Sequence, residues 1–200
     1  MNLPGKNNKI KSVLFGGTFD PIHYGHIKII EKIICDFNPK VIYIVPAGNP
    51  YMKNSPPLAT PLQRLQMCEL AFKNSKNIKI IDYEILRNSP SYTFDTLNYL
   101  SSEKNYINVD TLVLGEDSYI EIDKWKKGKN LKEKYNFIVV KRSNSFSKKN
   151  SAKGLFFMEK LSNLSSSLIR KKIDQNQSIN NDTPIEIANY IEDNKLYKNG

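Results

Sequence analysis

Five short hydrophobic segments recur along the chain, each bounded by polar or turn-forming residues. They are Ser12–Phe15, Val41–Val45, Ile78–Ile81, Thr111–Leu114 and Asn136–Val140. Hydrophobic residues run almost continuously within each segment instead of alternating with polar ones. This pattern is typical of strands in a parallel sheet that is covered on both faces. The pattern therefore predicts five buried, parallel strands.

The segments between these strands carry the spacing of amphipathic helices. Ile27, Ile30, Ile33 and Ile34 recur at intervals of three and four residues, which places them on one helix face. Strands that alternate with helices indicate an α/β fold: a Rossmann-like, doubly wound parallel sheet with a small C-terminal helical portion. We expect a single domain over residues 1–200. The same spacing predicts helices over 62–71, 93–100, 165–175 and 184–194.

Composition changes this picture little. Hydrophobic residues make up 40% of the 200 residues and charged residues 25%, as in ordinary soluble domains. No segment approaches the roughly 20 apolar residues that cross a bilayer, and the N-terminus lacks the apolar core of a signal peptide. Cys35 and Cys68 show no metal-like spacing, so we interpret them as reduced, buried thiols. We therefore expect a soluble, cytoplasmic protein without a membrane partner.

The formal net charge of +10 is the one unusual bulk property. It is compatible with nucleic acids, anionic membranes or phosphorylated small substrates. The lysines are scattered among asparagines, and few aromatic residues lie within the basic runs. A basic nucleic-acid-binding module therefore stays an alternative, but we expect only weak binding without a specific nucleic-acid partner.

Candidate chemistry lies in VLFGGTFDPIHYGHIKIIEKII, residues 13–34, which contains the only two histidines of the chain. Gly16 and Gly17 end the first predicted strand, so the backbone there can approach a ligand closely. The following helix directs its N-terminal N–H groups at the same region, which suits phosphate. His23 and His26 share a face of its first turn, and Gly25 leaves room for a base or ribose. The segment predicts two imidazoles that meet nucleotide phosphates.

Less specific interpretations of this segment are a helix cap at His23 and an ordinary surface residue at His26. The coincidence of both histidines with the glycines at a strand-to-helix boundary disfavours them. Two histidines without a cysteine or a third, acidic ligand do not make a zinc site, so no metal-binding residues are predicted. The spacing also differs from the phosphate-binding GxxxxGK[ST] and dinucleotide-binding GxGxxG patterns.

The stretch GGTFDPIHYGH resembles the signature of the nucleotidyltransferase superfamily that carries an HxGH tetrapeptide. Its members transfer a nucleotidyl group from a nucleoside triphosphate to a phosphate and release pyrophosphate. The resemblance implies that His23 and His26 contact the phosphates of ATP and stabilise the transition state, without a covalent intermediate.

A second stretch, LSSSLIR at residues 164–170, resembles the ISSTxIR motif of the same superfamily. Hydroxyl groups and exposed N–H groups at a helix N-terminus bind phosphate oxygens, and Arg170 offers a planar cation for charge that develops there. His23, His26 and Arg170 are therefore the predicted catalytic residues. By this resemblance the ATP site also includes Gly16, Gly17, Thr18, Phe19, Gly25, Lys53, Ser165, Ser166, Ser167 and Ile169.

Four further stretches resemble the bacterial-type nicotinate/nicotinamide mononucleotide adenylyltransferases: QRLQMCELA, LRNSPSYTFDTL, GEDSYIEIDKW and IANYIEDNKLY. The resemblance covers nearly the whole chain. It implies that Thr93 and Trp125 hold the pyridine ring, while Gly115, Asp117 and Ser118 border the dinucleotide. Without it, Trp125 would be interpreted as a core residue and Asp117 as a helix cap.

The expected reaction is adenylyl transfer from ATP to nicotinate mononucleotide, in NAD biosynthesis, giving deamido-NAD and pyrophosphate. Nicotinamide mononucleotide is a possible second acceptor, and a phosphopantetheine adenylyltransferase is the alternative within the superfamily. Mg²⁺ is expected with ATP, without a dedicated protein cage. The chain departs from the family in the loop after the second strand, where Met52 replaces a histidine and Lys53 keeps the basic position.

Overall fold

The computed structural model describes residues 10–50, 55–141 and 152–198. Its centre is a six-stranded sheet in which every pair of neighbouring strands is parallel. The order across the sheet is β3-β2-β1-β4-β5-β6. The strands are β1 (Ser12–Gly17), β2 (Val41–Pro46), β3 (Ile78–Ile80), β4 (Thr111–Gly115), β5 (Asn136–Val140) and β6 (Gly154–Met158).

Helices cover both faces of this sheet. They are α1 (Tyr24–Phe37), α2 (Pro61–Phe72), α3 (Thr93–Leu100), α4 (Glu116–Ile120), α5 (Gly128–Lys134), α6 (Ser166–Asp174) and α7 (Ile185–Asp193), with a short 3₁₀ helix at Ile122–Lys124.

Every strand except β3 contributes to two hydrophobic cores, because successive side chains point to opposite faces of the sheet. Val13 and Phe15 of β1 pack with α1, α2, α6 and α7. Leu14, between them, packs with residues of α3 and α5 on the other face. Both faces of the sheet are therefore covered by hydrophobic side chains, which explains the continuous hydrophobic runs of the strands.

The predicted fold class is confirmed, and all five predicted strands and the predicted helices are present. The sixth strand, β6, and the short helices α4 and α5 were not predicted. The strand β6 has the sequence GLFFM, whose hydrophobic run is as continuous as those of the other strands, and it is half-buried over most of its length. The prediction of a buried thiol is confirmed for Cys68 and wrong for Cys35, which is exposed.

The strand order places a topological switch point between β1 and β4. From β1 the chain continues to β2 on one side, and β4 lies on the other side. Connections that leave in opposite directions open a crevice at the carboxyl ends of the two strands, where open α/β sheets bind ligands. In the described ranges, no helix has both the length and the apolar character needed to cross a bilayer.

Candidate active site

A cavity of about 320 Å³ lies at this switch point. It is lined by Gly16, Gly17 and Thr18 at the end of β1 and by Gly115 at the end of β4. Residues from both predicted groups therefore meet in one cavity, but the predicted catalytic residues His23, His26 and Arg170 are not among those that line it. The other predicted residues that line it are Thr93, Asp117, Ser118 and Trp125.

The two histidines form the N-terminal cap of α1. The Nδ1 atom of His23 accepts a hydrogen bond from the backbone N–H of Gly25 at 3.1 Å. The Nδ1 atom of His26 accepts one from the backbone N–H of His23 at 3.3 Å. The two rings stack with centroids 3.8 Å apart. His23 is thus a helix cap as well as a candidate catalytic group.

These two hydrogen bonds fix the proton positions on both rings. A backbone N–H can only donate, so each Nδ1 must be an unprotonated acceptor and each neutral ring carries its proton on Nε2. Burial lowers the pKa of His23 from 6.5 to about 4, opposed by the carboxylate of Asp182. His23 is therefore a neutral imidazole near pH 7, with its Nε2–H as its one hydrogen-bond donor.

Gly25 and Gly17 are required by the rings beside them. A Cβ atom at Gly25 would lie 2.8 Å from the ring of His23, and one at Gly17 would lie 2.7 Å from the ring of Phe19. We expected a base or ribose to pack beside Gly25, but the ring of His23 occupies that space. Phe19 has a φ of 50°, an uncommon backbone conformation for an aromatic residue, and its ring packs edge-on against His26.

The C-terminal motif contacts the loop that precedes the histidines. Ser165 is the N-cap of α6. Ser166 donates its hydroxyl proton to the carbonyl oxygen of Pro21 at 3.0 Å, so that proton is not available to phosphate in this conformation. Arg170 donates to the carbonyl oxygen of Asp20 at 2.7 Å and to the hydroxyl of Ser167 at 3.4 Å. The motif and the histidines therefore belong to one site.

Other predicted residues occupy different environments. The side chains of Phe19 and Ile169 are buried in the core, which leaves their backbone atoms to face a ligand. Asp117 lies within α4, whose N-cap is Gly115, so it is not the cap of that helix. The Nε1–H of Trp125 is buried without a hydrogen-bond partner among the described residues. Lys53 and Met52 lie outside the described residues.

Comparison with known proteins identifies the family. Residues 14–172 match the cytidylyltransferase-like family model. A probable nicotinate-nucleotide adenylyltransferase from Clostridium acetobutylicum is 33% identical over 94% of this chain and 98% of its own length. One from Caldicellulosiruptor saccharolyticus is also 33% identical, over 94% and 100%. The chain belongs to the nicotinate-nucleotide adenylyltransferase family.

A solved structure supports this assignment. The nicotinic acid mononucleotide adenylyltransferase of Plasmodium falciparum, complexed with NaAD, aligns with a TM-score of 0.73. It is 25% identical, and the alignment covers 94% of this chain and 97% of that one. The likeness thus extends over nearly the whole adenylyltransferase, including the C-terminal helices.

Two residues that organise this adenylyltransferase site, Asp20 and Tyr197, are not predicted by the sequence patterns. Asp20 is 3% exposed, and its carboxylate accepts the backbone N–H groups of Leu58 and Ala59, both at 3.0 Å. It also accepts the hydroxyl of Tyr197 at 2.9 Å and forms an ion pair with Arg170 at 3.5 Å. The C-terminal tail is therefore connected to Arg170 through one buried carboxylate.

Glu84 and Ser91 also line the cavity and are not predicted by the sequence patterns. Glu84 accepts a hydrogen bond from the hydroxyl of Thr96 at 2.5 Å. Burial raises the pKa of Glu84, opposed by its hydrogen bonds. Ser91 accepts hydrogen bonds from the loop after β2. The described residues contain no group of three or more His, Cys, Asp or Glu side chains that could hold a metal ion.

Replacing His23 with Asn tests its neutral state, because Asn can accept the capping hydrogen bond but does not titrate. The folded pKa of His23 lies near 4, below the ordinary 6.5, so between these values the unfolded chain binds the extra proton. We therefore expect this group to lower the free energy of unfolding by about 2 kcal/mol between pH 7 and pH 5.

Urea unfolding across this pH range measures the effect. Carboxylates titrate in the same pH range in both proteins, so the difference between wild type and His23→Asn isolates the contribution of His23. The variant should lose less stability in acid than the wild type. The same pH dependence in both proteins would contradict the neutral assignment.

Proposed function

We propose that this adenylyltransferase transfers the adenylyl group of ATP to nicotinate mononucleotide, with release of pyrophosphate and deamido-NAD. The observation that carries the proposal is the pair of imidazoles whose Nδ1 atoms are both used by the helix cap. This arrangement leaves two Nε2–H donors at the start of α1, which follows the segment 16–18 that lines the cavity together with Trp125. The names of the relatives support the choice of substrates.

The phosphate side of the proposed reaction uses His23, His26 and Arg170. Their donors would hold the triphosphate and stabilise the charge that grows on the leaving pyrophosphate. An oxygen of the mononucleotide phosphate attacks the α-phosphorus, and the bond to the oxygen that bridges the α- and β-phosphates breaks. The attacking phosphate is already anionic, so the step requires positioning and charge stabilisation and no general base.

The pyridine side of the proposed reaction uses the residues at the far end of the cavity. Trp125 offers a flat indole for stacking on the pyridine ring, and it is the only tryptophan of the chain. Thr93, Gly115, Asp117 and Ser118 surround the same space. We propose that they contact the ring substituent and the adjoining ribose and phosphate.

The start of α3 favours the acid over the amide. Thr93 and Phe94, its first two residues, line the cavity, and its N-cap Tyr92 provides no side-chain hydrogen bond. The first N–H groups of a helix lack intrahelical partners and carry partial positive charge, which favours an anion. We propose that these N–H groups bind the nicotinate carboxylate.

A divalent cation is general in nucleotidyl transfer, and we propose Mg²⁺ bound to ATP. Asp20, a buried carboxylate in the loop before the histidines, uses both oxygens for Leu58, Ala59, Tyr197 and Arg170, so it does not fit a metal ligand. The residues present fit an ion that arrives with the triphosphate and neutralises part of its charge. A phosphate contact from Lys53 and a cytoplasmic location stay predictions.

Purified protein incubated with ATP, Mg²⁺ and nicotinate mononucleotide should release pyrophosphate. Replacing His26 with Ala removes one donor to the developing charge, so we expect kcat to fall by about 10²–10³-fold. A coupled pyrophosphate assay measures both. As a control, Tyr106→Ala changes a side chain that is 80% exposed and should leave kcat unchanged. No pyrophosphate from wild type with either pyridine mononucleotide would refute the proposal.

The preference between acid and amide is a separate prediction. A carboxylate at the N-terminus of α3 is stabilised by up to about 2 kcal/mol, whereas a neutral carboxamide gains less. We therefore expect kcat/KM for nicotinate mononucleotide to exceed that for the nicotinamide analogue by about tenfold or more. Initial rates for the two mononucleotides at saturating ATP give the ratio. A ratio of one or below would contradict the proposed contact.

A further inference from the structure

Arg64, on α2, is fully buried, with 0% of its surface exposed. Its guanidinium donates four hydrogen bonds, all to backbone carbonyl oxygens. Nε donates to Ala59 at 3.3 Å, one terminal nitrogen to Thr18 at 2.8 Å and Ala47 at 2.5 Å, and the other to Gly48 at 3.0 Å. One side chain therefore joins three segments that are far apart in the sequence.

Two of these segments form walls of the cavity. Thr18 belongs to the loop after β1, which leads to the histidines. Ala47 and Gly48 belong to the loop after β2, and both Thr18 and Ala47 line the cavity. Arg64 itself does not line it, so it lies behind the walls. Its hydrogen bonds join the loop after β1 to the loop after β2.

The loop after β2 is also held from its other side. The hydroxyl oxygen of Ser91 accepts the N–H groups of Gly48 at 3.0 Å and Asn49 at 3.1 Å. In a trans peptide the carbonyl and the N–H point in opposite directions. The peptide groups Ala47–Gly48 and Gly48–Asn49 are thus each bound at both ends, by Arg64 on one side and Ser91 on the other.

The same geometry orients the loop after β1. Because the carbonyl of Thr18 points at Arg64, the N–H of Phe19 in the same trans peptide points away from the guanidinium. The ring of Phe19 is buried under Gly17 and His26. Arg64 therefore fixes the direction of the backbone in the loop after β1, which leads to His23.

We propose that Arg64 is a positioning residue for adenylyl transfer. It holds the loops after β1 and β2 at a fixed separation and orientation, so that the triphosphate and the mononucleotide meet in line. Arg64 acts through the backbone of these loops and does not touch either substrate. This inference rests on the proposed function, because it is the reaction between the two substrates that requires their alignment.

Lysine cannot replace Arg64 in this role. A guanidinium has five donors in a rigid planar fork, whereas an ammonium is a point donor with three protons. Lysine would keep the charge but could not bind carbonyls of three segments in a fixed plane. Since a displacement of about 1 Å in a reacting group can cost about 10²-fold in rate, the loss should appear in the kinetics as well as in the stability.

The test compares Arg64→Lys with Met67→Ala. Met67 is also 0% exposed and lies one turn further along α2, but its partners are hydrophobic, so it controls for a general loss of core stability. For each protein, kcat and KM for ATP and nicotinate mononucleotide are measured well below its own melting temperature. We expect Arg64→Lys to lower kcat/KM by about 10²-fold while the folded fraction stays near one.

Met67→Ala should lower the melting temperature while kcat/KM stays within about twofold of wild type. A second variant, Ser91→Ala, releases the same peptides from the other side and leaves Arg64 in place. Because Ser91 also lines the cavity and hydrogen-bonds Glu84, the affinity of this variant for nicotinate mononucleotide is compared with that of wild type, to distinguish lost positioning from a lost substrate contact. Ser91→Ala should lower kcat by about tenfold at a near-native melting temperature, which keeps the test valid if Arg64→Lys fails to fold. Fluorescence of Trp125 reports binding of nicotinate mononucleotide independently of turnover.

The outcomes separate the two claims. If wild type binds nicotinate mononucleotide but releases no pyrophosphate, the proposed function fails. If wild type turns over, but Arg64→Lys and Ser91→Ala both keep wild-type kcat/KM in their folded fractions, the positioning role of Arg64 fails and its contribution is to stability alone.

Discussion

The structure of the site depends on the way in which α1 begins. The first N–H groups of a helix need acceptors, and here the Nδ1 atoms of His23 and His26 provide them. This use of Nδ1 fixes both ring tautomers and forces the rings into a stack. It also requires glycine at position 25, because the ring of His23 fills the space of a Cβ atom. The helix cap and the candidate catalytic donors are therefore the same two side chains.

Buried charges connect this cap to the rest of the chain. Asp20 links the loop before the histidines to the start of α2, to Arg170 and to the C-terminal Tyr197. Arg64 links the same loop to the loop after β2. Each of these groups is hydrogen-bonded on several sides, as a buried charge must be to be tolerated. Together, these contacts connect the loops after β1 and β2 with α2, α6 and the C-terminal tail.

Much of the architecture and part of the site could be predicted from the sequence. The five strands were visible because their hydrophobic runs are continuous, and β6 was missed although its run, LFFM, is continuous too. The motifs around His23 and Ser165 identified nucleotidyl transfer. The partners of Asp20 and Arg64 could not be predicted, because they lie up to 177 residues away in the sequence and a single sequence gives no such distances.

The most direct test of this account is the protonation of the two histidines, observed by ¹H–¹⁵N NMR in tag-free protein. The chain has only two histidines, so single substitutions assign both rings. The account predicts that His23 is neutral near pH 7, that Nδ1 of both rings accepts a hydrogen bond and carries no proton, and that both Nε2 signals shift when a non-hydrolysable ATP analogue binds. A proton on Nδ1 of either ring, or signals that do not respond to the analogue, would contradict it.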